Sequence, residues 1–475
     1  MRHQYDITRL KQRIAPIRCE DNPSLVRQKS RDFYWYSPIL KRQLDAVTGD
    51  LVVAPASEVE LLQVMATCFE LGIPVTPRGG GTGNYGQAMP LSGGVVLDLT
   101  GLSKVIAVAP GRVVAQAGAI LAAIEQATRQ HSGQDFGQEL RLHPSTYATA
   151  SIGGFVAGGS GGVGSIRWGG LRDRGNIIRL KVATMEATPQ VLELTGDDLV
   201  KVAHAYGTNG IIIEAEMPLA PAYSWIDVIV GFPTLKEAAR YANALGEQDG
   251  ILIKNLAVVA APIPHDMFVR HRKHLPADQH VVIVIVAEQA LDAMLAFTRR
   301  HHRGELLLRS DALAETDRKG LPPAFELTWN HTTLRSLRQD AAITYLQVLY
   351  PYPEQIETVE RIHARFGAEL PAHLEFVRFD GKIRCFGVPL VRFTSDERLE
   401  ELNRAHEDMG AATFNPHRYT LEEGGMKRTD EVQLAFKRRA DPQGLLNPGK
   451  MIAWDDPGYD YRSGKTYLFP ALGKG

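Results

Sequence analysis

Two glycine-dense segments constrain this chain more than anything else in it: residues 77–86 (PRGGGTGNYG) and 151–164 (SIGGFVAGGSGGVG). Ordering that many glycines costs conformational entropy. The usual return is close backbone approach, with several free N–H groups turned toward one anion. A pair of such segments points to a long ligand with phosphates near its middle, which is the profile of a dinucleotide-type cofactor.

The totals fit a globular protein of two or three domains. The chain has 475 residues, 44% of them hydrophobic and 23% charged. A net charge of −1 supplies no field for nucleic acid or an anionic membrane. The three cysteines, Cys19, Cys68 and Cys385, lie far apart and form no Cys-x-x-Cys. That spacing fits a reducing compartment and argues against zinc ribbons and iron–sulfur clusters. The opening MRHQYDITRLKQR has no apolar stretch of the secretory kind, and the run VVIVIVA at 281–287 is too short to span a bilayer. A cytoplasmic protein with no transmembrane segment is expected.

Residues 1–45 read as an N-terminal arm holding the aromatic cluster Phe33-Tyr34-Trp35-Tyr36. From residue 46 the pattern is α/β. Ser57 with Glu60 is a capping box opening a helix that Gly72 ends, and the strand at 73–76 feeds the first glycine segment. Strands are expected at 95–99, 105–108, 113–117, 177–184, 191–194 and 211–219, with helices at 120–129 and 197–205. After 220 the rhythm becomes β-α-β, β-α-β: strand 226–232, helix 234–248, strand 251–259, strand 280–287, helix 289–301, strand 305–309. That order is the ferredoxin-like split unit. A second α/β portion follows, with a strand at 344–349, a helix at 354–366, a hairpin turning at Asp380-Gly381 and a helix at 395–409.

Both glycine segments satisfy G-x-G-x-x-G, at Gly81-Gly83-Gly86 and at Gly159-Gly161-Gly164. The nicotinamide fingerprint also needs a helix directly after the turn. QAMPLSGG follows Gly86 and SIRWGGLRDRG follows Gly164, and neither sequence reads as helical. A nicotinamide Rossmann domain is therefore disfavoured, and no P-loop is present.

PRGGGTGNYG after a strand, then HPSTYATASIGGFVAGGSGGVGSIRWGGLRD, YGTNGIIIEAEMPL and the late DPQGLLNPGKM, come in one order that resembles the vanillyl-alcohol oxidase/p-cresol methylhydroxylase family. The resemblance covers about 50–220 and 440–452. It implies an α+β fold: a split FAD-binding domain of the vanillyl-alcohol oxidase type (46–220) plus a ferredoxin-like cap domain (221–440), with 441–475 returning to the FAD domain. By the same resemblance Arg78, Gly79, Gly80, Gly81, Thr82 and Gly83 would face the FAD pyrophosphate, and Ser151, Gly153 and Gly154 would line the same groove. Pro144, Ser145, Ala148, Gly164 and Ser165 would approach the ring system or ribityl chain. Gly210 and Ile212 would bracket the adenine, and Asn447 and Lys450 would close over the flavin. Some relatives attach FAD through a His in the first loop, where Thr82 stands here. Others use a Cys near the second loop, and none lies between Cys68 and Cys385. Non-covalent FAD is therefore expected.

Removing hydride from a CH–OH group needs a base that titrates near neutrality and a group that holds the substrate. In Asn415-Pro416-His417-Arg418-Tyr419, His417 is the candidate base and Arg418 the carboxylate holder. His331, in Trp329-Asn330-His331 on a stretch read as irregular, is a second candidate. Arg378, Arg384 and Arg392 lie on or beside the hairpin, and His271, His274, His301 and His302 read as surface. Relatives acting on D-2-hydroxy acids carry a His-x-His element and a late Glu-His-Gly run. Here only Glu422 and Glu423 stand near that place, so no metal is expected. The reading is an FAD-dependent oxidoreductase, a dehydrogenase of a hydroxy acid, alcohol or sugar-type small molecule, handing electrons to a quinone, an electron-transfer protein or oxygen. The alternatives are an NADPH-dependent reductase of the UDP-N-acetylenolpyruvoylglucosamine type and a non-catalytic flavin electron relay.

Overall fold

A computed structural model describes residues 5–130, 137–300 and 304–462. His301, His302, the last residue of the helix expected at 289–301 and residues 463–475 of the returning segment lie outside the described residues. The chain forms two compact units. One holds the chain up to Ser160, Leu171–Ala222 and the chain from Asn415 on; the other holds Gly161–Gly170 and Tyr223–Phe414. Two borders differ from the expected ones. Residues 415–440 join the first unit, and the end of the second glycine segment joins the second.

The first unit begins as the capping signals dictate. Ser57 Oγ accepts from the Glu60 N–H (3.2 Å), and the Glu60 carboxylate accepts from Ala56 N–H (2.7 Å), opening the helix Glu58–Glu70. This helix buries Leu61, Val64, Met65 and Cys68 against strands Leu51–Ala54, Val75–Arg78 and Val95–Asp98, which pair in parallel. The arm belongs to the same core: Arg18–Glu20 adds an antiparallel edge strand, and Leu10 and Ile14 pack inside. The returning tail reaches the other edge, where Val75 N–H donates to Leu445 O (2.8 Å) and Asn447 N–H to Val75 O (2.9 Å). A second, antiparallel sheet runs in the order 105–109, 112–116, 211–221, 179–183, 191–195. The helix expected at 197–205 is a 3-10 turn over Gly196–Lys201.

The second unit is built on an eight-stranded antiparallel sheet. Its order is 305–309, 225–232, 280–287, 253–259, 373–379, 382–387, 347–349, 412–414. The first four strands have the ferredoxin-like arrangement, fourth-first-third-second in chain order. The last four repeat it in mirror order, with helices Gln355–Phe366 and Asp396–Asp408 as their crossovers. The unit is therefore a tandem pair, joined where Ala257 faces Glu375. Asp380 and Gly381 both take positive φ (52° and 73°), the hairpin geometry expected at that turn. The strand expected over 344–349 divides: Ile343–Tyr345 pairs with Leu390–Arg392, and Gln347–Leu349 joins the large sheet.

Three stretches not read as helical are helical. Ile152–Gly158 is a helix capped by Ser151 Oγ, which accepts from Gly154 N–H. Ile152, Phe155 and Val156 are buried in it, so apolar spacing outweighs glycine's low propensity. One helical turn, Ser165–Trp168, does follow Gly164, but Gly169 ends it after four residues. In the second unit, the stretch around His331 is the start of the helix Asn330–Gln339.

Candidate functional site

The two glycine segments meet within the first unit, and the glycines make that possible. A Cβ at Gly79 would lie 1.9 Å from Ser151 Oγ, and one at Gly80 would lie 2.1 Å from the Thr149 carbonyl oxygen. The backbones of 79–80 and 149–151 are in direct contact, a distance no side chain permits. Gly153 is tight in the same way against Ala117.

The two segments differ in what their N–H groups do. Gly153 N–H donates to Ala117 O (2.8 Å) and Gly154 N–H to Ser151 Oγ (3.3 Å), so the second segment spends its donors on its own fold. Among the described residues, the N–H groups of Gly80, Gly81, Thr82 and Gly83 donate to no protein acceptor. All four residues are only half-buried. A row of free donors on backbone of this kind is an anion cradle.

Charge stands behind the cradle. Arg78 ends the strand that enters it, donates to Gly79 O (3.0 Å), and keeps a buried Nε without a partner. Lys450 is 0% exposed, and its Nζ donates to Gly86 O (2.6 Å). Asn447, at φ 42°, donates through Nδ2 to Gln87 O (2.8 Å) and Tyr206 O (2.7 Å), and its buried Oδ1 has no partner. Burial lowers the Lys450 ammonium's pKa below the usual lysine range, and Asp32 opposes that shift. The tail carrying both residues is fixed by the buried Asp441, which accepts from Lys437 Nζ, Leu445 N–H (2.9 Å) and Leu446 N–H (2.8 Å). An orphaned Arg78 Nε, an orphaned Asn447 Oδ1 and a cradle of free N–H groups fit a cofactor that carries a diphosphate beside hydrogen-bonding rings.

The remaining expected contacts are distributed unevenly. Ser145 is buried, Pro144 half-buried and Ala148 exposed, and Pro144 O accepts from Tyr147 N–H (3.1 Å). Gly210, at φ 111°, packs on Val182, and Ile212 follows it in the central strand of the second sheet. Gly164 and Ser165 belong to the second unit, where Gly164 N–H donates to Lys254 O (2.7 Å) and Ser165 Oγ accepts from Gly162 N–H (3.1 Å).

His417, expected in the cap, is in the first unit, on the loop after strand Ala412–Phe414. It is 1% exposed, and its Nδ1 lies 2.8 Å from Ser37 Oγ. Arg418 is exposed. The same loop reaches the cradle, because the Tyr419 ring lies 4.8 Å from Lys450 Nζ. His331 is in the second unit and is pushed down to about 4 by burial and by Arg335 and Arg338. Arg378 pairs with Asp249 (3.3 Å), Arg392 with Asp340 (2.9 Å), and Arg384 lies over Tyr352 and Phe379. His271, read as surface, is 3% exposed, with its pKa lowered to about 4 by burial. Glu422 is also buried, accepting from Thr429 Oγ1 (2.7 Å), Ile452 N–H (2.9 Å) and Ala453 N–H (3.1 Å). Among the described residues no three His, Cys, Asp or Glu side chains gather as metal ligands.

Sequence reasoning recognised the arm but missed its contacts with the site. Asp32 accepts from Tyr34 N–H (3.0 Å) and Ala88 N–H (3.1 Å), Phe33 N–H donates to Gly83 O (2.6 Å), and Ser37 touches His417. The one available signal was the clustering of polar residues with four successive aromatics, too dense to be left in solvent.

Residues 49–193 match the FAD binding domain family. The first unit thus carries an FAD-binding domain, as its motifs implied, and FAD is the cofactor of that domain. Among curated relatives, a mitochondrial D-lactate dehydrogenase (cytochrome) of Arabidopsis thaliana is 31% identical over 41% of this chain and 35% of its own length. A D-lactate dehydrogenase of Archaeoglobus fulgidus is 29% identical over 41% of the chain and 44% of its own length. The chain thus spans less than half the length of each of those two proteins. The mitochondrial D-2-hydroxyglutarate dehydrogenase of Rattus norvegicus matches more broadly, 29% identical over 85% of this chain and 78% of its own. In fold the chain is similar to an alkyldihydroxyacetonephosphate synthase, with a TM-score of 0.70 at 16% identity over 94% of this chain and 85% of that one. It is also similar to 4-ethylphenol oxidase from Gulosibacter chungangensis, with a TM-score of 0.66 at 15% identity over 94% and 96%. Among the described residues no helix is long and apolar enough to cross a membrane.

Proposed function

We propose that this protein is an FAD-dependent oxidoreductase, a dehydrogenase taking hydride from the CH–OH carbon of a hydroxy acid or a related alcohol or sugar. The observation that carries the reading is the row of unspent N–H groups at Gly80, Gly81, Thr82 and Gly83 within the matched FAD binding domain, backed by Arg78 and by Lys450 of the returning tail. Relatives named for D-lactate and D-2-hydroxyglutarate put hydroxy acids first among substrates. Bound FAD supplies the hydride acceptor.

The chain's own residues do the rest. The cradle and Arg78 hold the diphosphate, and the buried Lys450 cation favours negative charge on the reduced ring. His417, held at Nδ1 by Ser37 Oγ, is the candidate base for the substrate hydroxyl proton. Arg418 holds a substrate carboxylate. His331 is the weaker base, because a group held at about 4 binds a proton poorly near neutrality. FAD is held without a covalent bond, since Thr82 offers no ring nitrogen and Cys68 and Cys385 are both 0% exposed.

The test is the visible spectrum of purified protein, followed by anaerobic addition of hydroxy acids, alcohols and sugars. The flavin band near ~450 nm should bleach with at least one hydroxy acid. Yellow protein that resists every donor but bleaches with NADPH sinks the dehydrogenase reading. Acid precipitation should leave the colour in the supernatant.

A further inference from the structure

We propose that Asp32, supplied by the N-terminal arm, is a positioning residue for Lys450, holding its ammonium charged and thereby setting how readily bound FAD accepts electrons. The inference rests on the FAD reading and goes beyond it, because the arm matches no cofactor motif.

Both side chains are withdrawn from water, Lys450 at 0% and Asp32 at 3% exposure. What Lys450 touches is neutral: the Gly86 carbonyl at 2.6 Å and the Tyr419 ring at 4.8 Å. A carbonyl and a ring do not offset the desolvation of an ammonium. The carboxylate acting on Lys450 is Asp32, and that carboxylate is fixed from two sides by Tyr34 N–H and Ala88 N–H. Arg78 and Tyr206 also face Asp32. Arg78 is shared with Asp98, which Lys29 pairs at 2.6 Å. Burial pushes the Tyr206 phenol up, so it stays neutral.

The arm and the tail both fasten to the segment carrying the free N–H row. Phe33 N–H donates to Gly83 O, Ala88 N–H reaches Asp32, and Gly86 O receives Lys450. Burial lowers the Lys450 pKa and Asp32 opposes that lowering, so losing the carboxylate should favour the neutral amine. A fixed cation stabilises the negative charge that a flavin gains on reduction.

The experiment uses purified holoprotein and reads sulfite affinity and flavin midpoint potential against pH; both respond to positive charge at the ring, and neither needs a substrate. Asp32→Asn should weaken sulfite binding about tenfold at pH 7, a change of one pKa unit in Lys450, and lower the midpoint potential. Lys450→Arg should bind sulfite tightly with no fall through neutral pH, and adding Asp32→Asn to it should change nothing. Wild-type sulfite affinity in yellow Asp32→Asn protein, or additive effects in the double variant, overturns the inference. If Asp32→Asn does not hold FAD, Asp32→Glu must shift the pH midpoint of sulfite binding, and an unshifted midpoint overturns it equally. A colourless wild-type protein overturns the FAD reading itself.

Discussion

The two units bury different things. In the first, Lys437, Lys450, Asp441 and Asp32 are between 0 and 3% exposed, and peptide groups of the first glycine segment stand without acceptors. In the second, strands such as His280–Ala287 bury continuous rows of Val and Ile. Its buried titratable groups include the His373–Glu375 pair (2.8 Å), His271, His406 and Asp227. Apolar rows are satisfied by their neighbours alone. Buried charge and idle donors make the first unit depend on exact partners, some of them outside the chain. The unit that gives up self-sufficiency is the one that binds the cofactor.

The sharpest way to break this contrast is His417→Ala. If the first unit holds the base, turnover should fall about 10²–10⁴-fold while the flavin spectrum stays intact; unchanged turnover moves the base elsewhere. Next is Asp441→Ala, which strands Lys437 and frees two N–H groups. Removing one partner of such a buried pair costs about 3–5 kcal/mol, to be read from denaturant melts of the holoprotein.

The second unit's counterpart is Asp227, whose carboxyl burial pushes up from 3.8 to about 6. The folded state keeps a proton there that the unfolded chain has already released. The stability from the protonated form is full below pH 3.8 and is lost as pH rises through about 6. Asp227→Asn, which can still accept from Ala324 N–H, should therefore gain on wild type by about 2 kcal/mol more at pH 7 than at pH 4. An equal difference at both values would refute this.

Gly80→Ala drives a methyl toward the Thr149 carbonyl and should cost about 1–3 kcal/mol, seen as weakened FAD binding in titration calorimetry. Gly250→Ala in the second unit meets nothing within 4 Å and should stay within about 0.5 kcal/mol of wild type.

Much of the fold was legible because it is written locally. The capping box at Ser57, the hairpin at Asp380-Gly381 and the β-α-β order after residue 225 are signals between near neighbours. The helix Ile152–Gly158 was hidden because its glycines masked an apolar spacing at Ile152, Phe155 and Val156 that only packing makes decisive. The tandem repeat of the second unit was invisible for a similar reason: its halves share strand order, which no short-period sequence pattern displays. The residues of the first glycine segment could be named from sequence, yet which of its N–H groups are free could not. That depends on the fold: Gly153 of the second segment finds an acceptor at Ala117, far along the chain, while Gly80 to Gly83 of the first find none among the described residues.

The amino-acid order alone determined that two glycine-rich bends, a returning DPQGLLNPGK segment and a ferredoxin-like succession must exist, because turns, caps and periodicity act over a few residues. Tertiary structure decided that the arm's Asp32 meets Ala88 N–H, two residues from the carbonyl that receives Lys450, that Ser37 meets His417, and that His417 belongs to the cofactor-binding unit. Burial is the physical reason. A charge or a ring nitrogen acquires its chemistry from whatever excludes water around it, and those neighbours are chosen by the fold and not by the sequence nearby.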